Sequence, residues 1–479
     1  MHTARVSDKS RIAPWWTRSA SPKTTVAVAA VLVSFLGAII PAIASETVYR
    51  VDLSRYFSTA DVERTDRGRI IASVAAFEAR RLRVSDPTDL EAYLHQAERI
   101  RVELMRHEAY LHLKSSIDTA DHEASSGTDE LETRLEQLTA IVDAALQRLT
   151  PREFTQAVAK RPSLGKYAFL VDEARRRAAH TLPPAQELIL DQLSKPTLSA
   201  LFDLYTQTVA TTPFATIVTP EGKRDVRADL MTNRDPSIRR RATEELLDGY
   251  ASRAPLYAGI LLAIARERDR VARLKHFDDA PSAVYFGMFK TTASIKACLA
   301  DIEHHADVYR DYQTLRARHV GAELALGAVH SWDMAAPLQG FEIPQFTMDG
   351  VRNAALEALE PFGPEYTADF HSLLDPAARR ADIAPGAPNR YNAGYSEEPP
   401  GVVSALYIGN FRGGLNDARV IVHEGGHAVH GQLRSQNAAS PFYAEGPNWM
   451  GEGIAILNEL LLYDHLYTAS RDPGSRAYY

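Results

Sequence analysis

Ile421-Val422-His423-Glu424-Gly425-Gly426-His427-Ala428-Val429-His430, followed by Trp449-Met450-Gly451-Glu452-Gly453-Ile454-Ala455-Ile456-Leu457-Asn458-Glu459, is the stretch on which the reading of this chain turns. Residues 423–427 form an H-E-x-x-H motif inside an apolar, helix-compatible run that begins at Arg419. On a helix, residues four apart lie on one face, one turn above the other, so His423 and His427 can aim two imidazoles at one point. Glu424 is rotated by about 100° from His423. It cannot share that ligand position, but it can reach a water held there. Two His ligands, a carboxylate from elsewhere and one open position form the usual arrangement of hydrolytic zinc. The plainer alternative is a pair of histidines on a core-facing helix with no metal.

Two downstream carboxylates compete for the third ligand position. Glu445 lies in Tyr443-Ala444-Glu445-Gly446-Pro447-Asn448, which reads as a turn. Glu452 opens a helix-like run, with Ile456 and Leu460 at helical spacing from it and Glu459 two turns along the same face. A helical carboxylate backed by a second acid suits a ligand with an orienting partner, so Glu452 is preferred. Glu459 and Asp417 are the candidates for orienting the ligands.

With these residues in place, the chain resembles the zinc oligopeptidases of the thimet oligopeptidase / oligoendopeptidase F family, and most closely the oligoendopeptidase F branch. The resemblance rests on residues 423–430, Glu452 and Asn458-Glu459, and the separation from His427 to Glu452 fits that family. Further segments agree in order. Thr232-Asn233-Arg234-Asp235-Pro236-Ser237-Ile238-Arg239-Arg240 is similar to an Asp-Arg segment at a helix start. Ser331-Trp332-Asp333-Met334-Ala335-Ala336-Pro337 is similar to a Tyr-Asp-x-x-x-Pro segment. Leu359-Glu360-Pro361-Phe362-Gly363-Pro364-Glu365-Tyr366 and Asn392-Ala393-Gly394-Tyr395-Ser396 also match. The resemblance covers roughly residues 200 to 465. It implies a mainly α, zincin-like metallopeptidase fold, with two helical lobes around a channel and a small β-sheet beside the active-site helix. It also implies one Zn2+ per chain on His423, His427 and Glu452, short unstructured peptides as substrates, and an approach of Gly394 and Tyr395 to substrate.

At 479 residues the chain is too long for one core. We divide it into residues 1–45, an N-terminal helical domain at 46–210 and a catalytic domain at 211–479. Composition is that of a globular protein, with 45% apolar and 24% charged residues. A net charge of −7 spread along the chain leaves no basic patch for nucleic acid. The single cysteine, Cys298, excludes an intramolecular disulfide and reads as a small buried side chain.

Residues 1–45 read as a signal peptide. Arg11, Arg18 and Lys23 precede the apolar run Val26 to Ile40, and Ala42-Ile43-Ala44 before Ser45 has the form of a signal-peptidase site. Export, periplasmic or secreted, is the expectation. The alternative is an uncleaved anchor holding the chain to a membrane, although the run is shorter than the ~20 residues of a spanning helix.

The apolar stripe from Leu131 to Leu149 predicts a helix capped by Thr128 or Asp129, with Asp121–Thr128 a polar connector in a helical hairpin and Pro151 beyond its end. His107, His112 and His122 read as surface or packing residues, and Arg175-Arg176-Arg177 as a solvated helix face. Phe214 to Val218 and Val226 to Leu230 predict a hairpin turning at Glu221-Gly222. Long helices follow from Asp235, and His304-His305 lies on one of their surfaces. Residues 375–400 read as a long loop, and Val402–Ile408 as a strand of the small sheet beside the zinc helix, whose edge is suited to receive an extended peptide.

The expected reaction is peptide-bond hydrolysis. Zinc polarises the carbonyl and lowers the pKa of its water from 15.7 toward ~7, while Glu424 takes the proton and delivers it to the leaving amine. His430, one turn past His427, stays off the metal because the fourth position is open. Two departures from the family stand out. Gly425 replaces a bulky apolar residue, at a helix cost of about 1 kcal/mol. The sequence also ends at Tyr479, shortly after Glu459, whereas relatives continue through segments that carry oxyanion-stabilising residues. The expectation is therefore a C-terminally incomplete zinc peptidase. The alternative is a catalytically weak or inactive zinc-containing peptide-binding protein.

Overall fold

Helices dominate because apolar residues recur at helical spacing and the breaks fall on capping residues. The computed structural model describes residues 49–220, 222–226, 228–336, 342–444 and 446–479. The expected targeting segment, Pro337 and Glu445 lie outside them. Helix α1 (Ala60–Glu78) is capped by Thr59, and α2 (Pro87–Ile117) by Asp86 with a proline in its first turn. Helix α3 (His122–Leu146) packs back on α2 as a hairpin. The cap of α3 is Asp121, whose carboxylate accepts from the Ala124 N–H, so Asp121–Thr128 is not a connector but the start of the helix. Pro151 opens the next helix, α4 (Pro151–Lys160), behind a Thr150–Glu153 capping box. Helices α5 (Ala168–Ala178) and α6 (Pro184–Ala210) follow.

Arg175-Arg176-Arg177 is not a solvated face. Arg175 donates to the Leu149 carbonyl, Arg176 stacks on Phe286, and Arg177 pairs with Asp143. Position in a bundle, invisible in the triplet itself, decides that. His107 and His112 are packing residues: His107 stacks on Phe57 and hydrogen-bonds Glu63, and His112 stacks on Tyr395 and hydrogen-bonds Glu397.

The hairpin consists of β1 (Thr216–Thr219) and β2 (Gly222–Asp225), with Thr219 opposite Gly222. Its second arm begins four residues earlier than the apolar pattern suggests, because Gly222 takes φ +119, a conformation open to glycine. Leu230 instead fills the core from the short helix α7 (Ala228–Met231). Then come α8 (Pro236–Ser252), α9 (Ala254–Leu274), α10 (Ala280–Gly287), α11 (Thr292–His304) and α12 (Ala306–Glu323). Cys298 on α11 is exposed, contrary to its expected burial, since no residue of that helix is buried. Arg239 and Asp333, from two of the segments that carry the family resemblance, form a buried ion pair at 2.5 Å.

After α13 (Met348–Ala358) and α14 (Pro364–Leu373), residues 375–400 are not one loop. They contain β3 (Ala381–Ile383) and β4 (Gly394–Glu397). The third strand, β5 (Ala405–Ile408), is shorter than the predicted 402–408. The order is β3-β5-β4, with β5 parallel to β3 and antiparallel to β4, so β5 is central and β4 is an edge among the described residues. Side chains on β5 alternate between two cores. Ala405 and Tyr407 join the core of α1–α5, while Leu406 and Ile408 join a second core with Phe370, Ile421, Val422 and Leu462. The chain ends in α15 (Leu415–Asn437), α16 (Asn448–Ala469) and α17 (Pro473–Tyr478). No described helix is long and apolar enough to cross a membrane.

Candidate metal centre

Helix α15 presents His423 and His427 on one face and packs closely along α16, which presents Glu452. Close approach requires the two glycines of the motif. A Cβ at Gly426 would stand 2.9 Å from Asn458 Nδ2 and 3.4 Å from Ala455 Cα, both on α16. A Cβ at Gly425 would stand 2.7 Å from the Phe370 ring of α14. The missing bulky residue is thus supplied from outside the helix, by Phe370. Asn458, fully buried, locks the contact by accepting from Tyr366 OH at 3.0 Å and donating to the Ile454 carbonyl at 2.8 Å.

One ligand atom each from His423, His427 and Glu452 lies within 4.8 Å of the others. The Glu452 carboxylate is 3.5 Å from His423 Nε2 and 3.8 Å from His427 Nε2. Glu459 is the partner on the far side of His423, with Oε1 2.5 Å from Nδ1, and Arg419 holds that carboxylate at 3.1 Å. With Nδ1 donating to Glu459, the Nε2 lone pair faces Glu452. Arg419 is absent from the sequence-derived set, and its position one turn before His423 is the only signal that points to it.

The donor set fits a divalent metal. His427 is pushed down to about 4 by burial and by the charges of His423, His430 and Arg434, so its imidazole is neutral and free to ligate. Burial works to lower His423 too, but its hydrogen bond to Glu459 and the nearby carboxylates outweigh it and raise its pKa. Glu424 is pushed up to about 7, chiefly by burial, with Glu452 and Glu398 adding to the rise and His423 opposing it.

Gly394 on β4 sits against this carboxylate: a Cβ there would stand 3.1 Å from Glu424 Cγ and 2.9 Å from Val420 Cγ1. Tyr395 does not face the site. Its ring is buried between His112 and Tyr407, and its hydroxyl donates to the His112 carbonyl at 3.2 Å, so this side chain is engaged in packing rather than aimed at substrate. Asp417 likewise does not orient a ligand. Its carboxylate accepts from the N–H groups of Arg412 and Gly414 and shapes the start of α15. Glu445, the weaker candidate ligand, is outside the described residues.

The link between α15 and α16 is tied to the first core. Tyr443 OH donates to the Lys166 carbonyl at 2.8 Å and accepts from the Leu170 N–H at 3.2 Å. Trp449, one turn before Glu452, donates to the Met288 carbonyl at 3.0 Å.

The model of peptidase family M3 matches residues 229–478, just over half the chain, and includes every ligand described above. The chain belongs to peptidase family M3. A second family model, described as Oligopeptidase F, matches residues 146–214. Among curated relatives of this M3 chain, oligopeptidase PepF of Bacillus subtilis (strain 168) is 22% identical over 406 residues, covering 81% of this chain and 58% of that protein. The oligoendopeptidase F homolog of Lactococcus lactis subsp. lactis (strain IL1403) is 21% identical over 454 residues, covering 90% and 70%. The chain thus spans 58% and 70% of the length of these two relatives. The fold matches a crystal structure of a putative peptidase from Chlamydophila abortus with TM-score 0.68 at 21% identity, over 89% of this chain and 71% of that one. It also matches oligoendopeptidase-F from Enterococcus faecium with TM-score 0.57 at 17% identity, over 89% and 70%. The mainly α, zincin-like architecture is therefore shared with solved peptidases.

Proposed function

We propose that this M3 chain carries the centre of a zinc metalloendopeptidase acting on short oligopeptides. The observation that carries the reading is the meeting of His423, His427 and Glu452 within 4.8 Å beside a carboxyl, Glu424, pushed up to about 7. A zinc ion held by these three residues would polarise the scissile carbonyl and acidify the attacking water. Glu424 then accepts the water's proton, and its raised pKa suits it to return that proton to the leaving amine near neutral pH. Glu459 fixes the tautomer and direction of His423. The outer edge of β4, unpaired in the sheet among the described residues and beside Glu424, would offer backbone groups to an extended peptide, which gains pairing without requiring a folded substrate. Export of the chain by residues 1–45 is a separate proposal that rests on their sequence.

Glu424→Gln is the test. Zinc near one per chain in both proteins, with cleavage of a quenched fluorescent peptide library lowered by about 10²–10⁴ in the variant, is the expected result. Equal cleavage by both would overturn the role of Glu424. Zinc retained without cleavage by either would favour a peptide-binding protein, and absence of zinc would overturn the ligand set.

A further inference from the structure

We propose that Arg434, one helical turn past His430, forms a cationic subsite that binds a carboxylate of the peptide substrate; this rests on the peptidase reading above. At about 100° per residue, Arg434, seven residues past His427, returns to the mean direction of the two metal-binding histidines, and His430 lies within about 40° of it. Residues 423 to 437 are continuous helix, so the four side chains form one stripe along α15. The stripe runs between two walls. On one side α16 packs on Gly426 through Asn458 and Ala455. On the other, Gly394 of β4 packs on Glu424, and Glu398 packs on Gly431. His423, His427, His430 and Arg434 are all only partly buried along its floor.

Arg434 differs from three arginines of the same half in lacking a carboxylate partner. Arg419 pairs with Glu459 at 3.1 Å, Arg380 with Asp369 at 2.5 Å and Arg390 with Asp382 at 2.8 Å. Among the described residues Arg434 has no carboxylate partner, and its buried Nε, like that of Arg390, has no hydrogen-bond acceptor. Glu398, whose side chain packs on Gly431, accepts from the Ser396 hydroxyl. A guanidinium with a buried nitrogen left unmatched is costly, and a carboxylate is the group whose geometry satisfies it bidentately. Seven residues of helix separate Arg434 from His427 by about 10 Å, which about three residues of extended peptide span. The ligand chemistry is thus a carboxylate a few residues from the scissile bond. A C-terminal carboxylate or an Asp or Glu side chain supplies it equally.

The test uses zinc-loaded full chain and matched peptide pairs: free acid against amide at the C-terminus, and Asp against Asn at each position around the cleaved bond. The expected result is a kcat/KM ratio, acid form over neutral form, of about 10 or more in at least one pair. That ratio falls to near 1 in Arg434→Gln and is partly retained in Arg434→Lys. The pair that shows it identifies which carboxylate binds. Taking a ratio removes any general loss from the variant. A ratio near 1 in the unaltered chain, or one unchanged in Arg434→Gln, overturns the subsite. If no peptide is cleaved, the peptidase reading fails separately, and the same pairs are titrated calorimetrically onto the zinc-loaded protein. There, acid-form preference lost in Arg434→Gln supports the subsite, and equal or no binding overturns it.

Discussion

His423 meets two opposed demands. Glu459 orients it for metal, and the same hydrogen bond favours its protonated form. A proton would therefore compete with a metal at this residue, and the competition would strengthen as pH falls through a pKa raised above the ordinary 6.5. His427, at about 4, adds nothing to that competition near neutrality. Apparent zinc affinity, measured against a competing chelator, is expected to drop on acidification from pH 8 to 6. Glu459→Gln is expected to weaken zinc by about 10–100-fold at neutral pH and to move the acid drop to lower pH. An unshifted profile would mean that Glu459 does not act through His423. Helical spacing alone made the two histidines, Glu452 and Glu459 legible, because each pair is set by the turn of one helix. Asp417 and Tyr395 were not legible in the same way. Whether an acid caps a helix or orients a ligand depends on where the helix begins, and a tyrosine on a short strand faces either side with equal ease.

At the scale of elements, the Gly425-Gly426 pair sets how closely α15 can lie against α14 and α16. In the sequence the pair reads only as a propensity cost of about 1 kcal/mol, because its partners, Phe370 and Asn458, belong to other helices and no local pattern indicates them. Gly425→Leu is expected to destabilise the fold by about 1–3 kcal/mol through overpacking on Phe370. Phe370→Ala in the same chain is expected to return part of that loss, a non-additivity readable in urea unfolding midpoints. Gly426→Ala pushes on the helix that carries Glu452, so zinc affinity should fall along with stability. The strands β3 and β4 were hidden for a related reason. Both are three or four residues long in a stretch rich in Pro, Gly and Asn, and pairing with β5 selects them. The Arg239–Asp333 pair links α8 to a distant turn, and Asp333→Ala, which strands a buried guanidinium, is expected to cost about 3–5 kcal/mol in the same unfolding assay.

Across the whole molecule, the helical character and the approximate course of the catalytic half could be read from periodicity, caps and spacing. The joining of the halves could not, since it runs through single long-range contacts. Tyr443 ties the link between the two helices that carry the candidate ligands to Lys166 and Leu170. The three-stranded sheet does more, because its central strand has a core on each face. Tyr407 reaches from that strand to the Ser116 carbonyl at 2.6 Å, and Tyr395 reaches from β4 to the His112 carbonyl, both near the end of α2. Neither core can lose the sheet and remain closed, so the two should open as one cooperative unit. A metal held by His423, His427 and Glu452 would touch only the side with α15 and α16, yet its binding free energy would be shared by both. Backbone amides of α2, remote from the metal, should exchange with deuterium more slowly when zinc is bound, and occupancy of the centre should be readable from the protection of a helix that never contacts it.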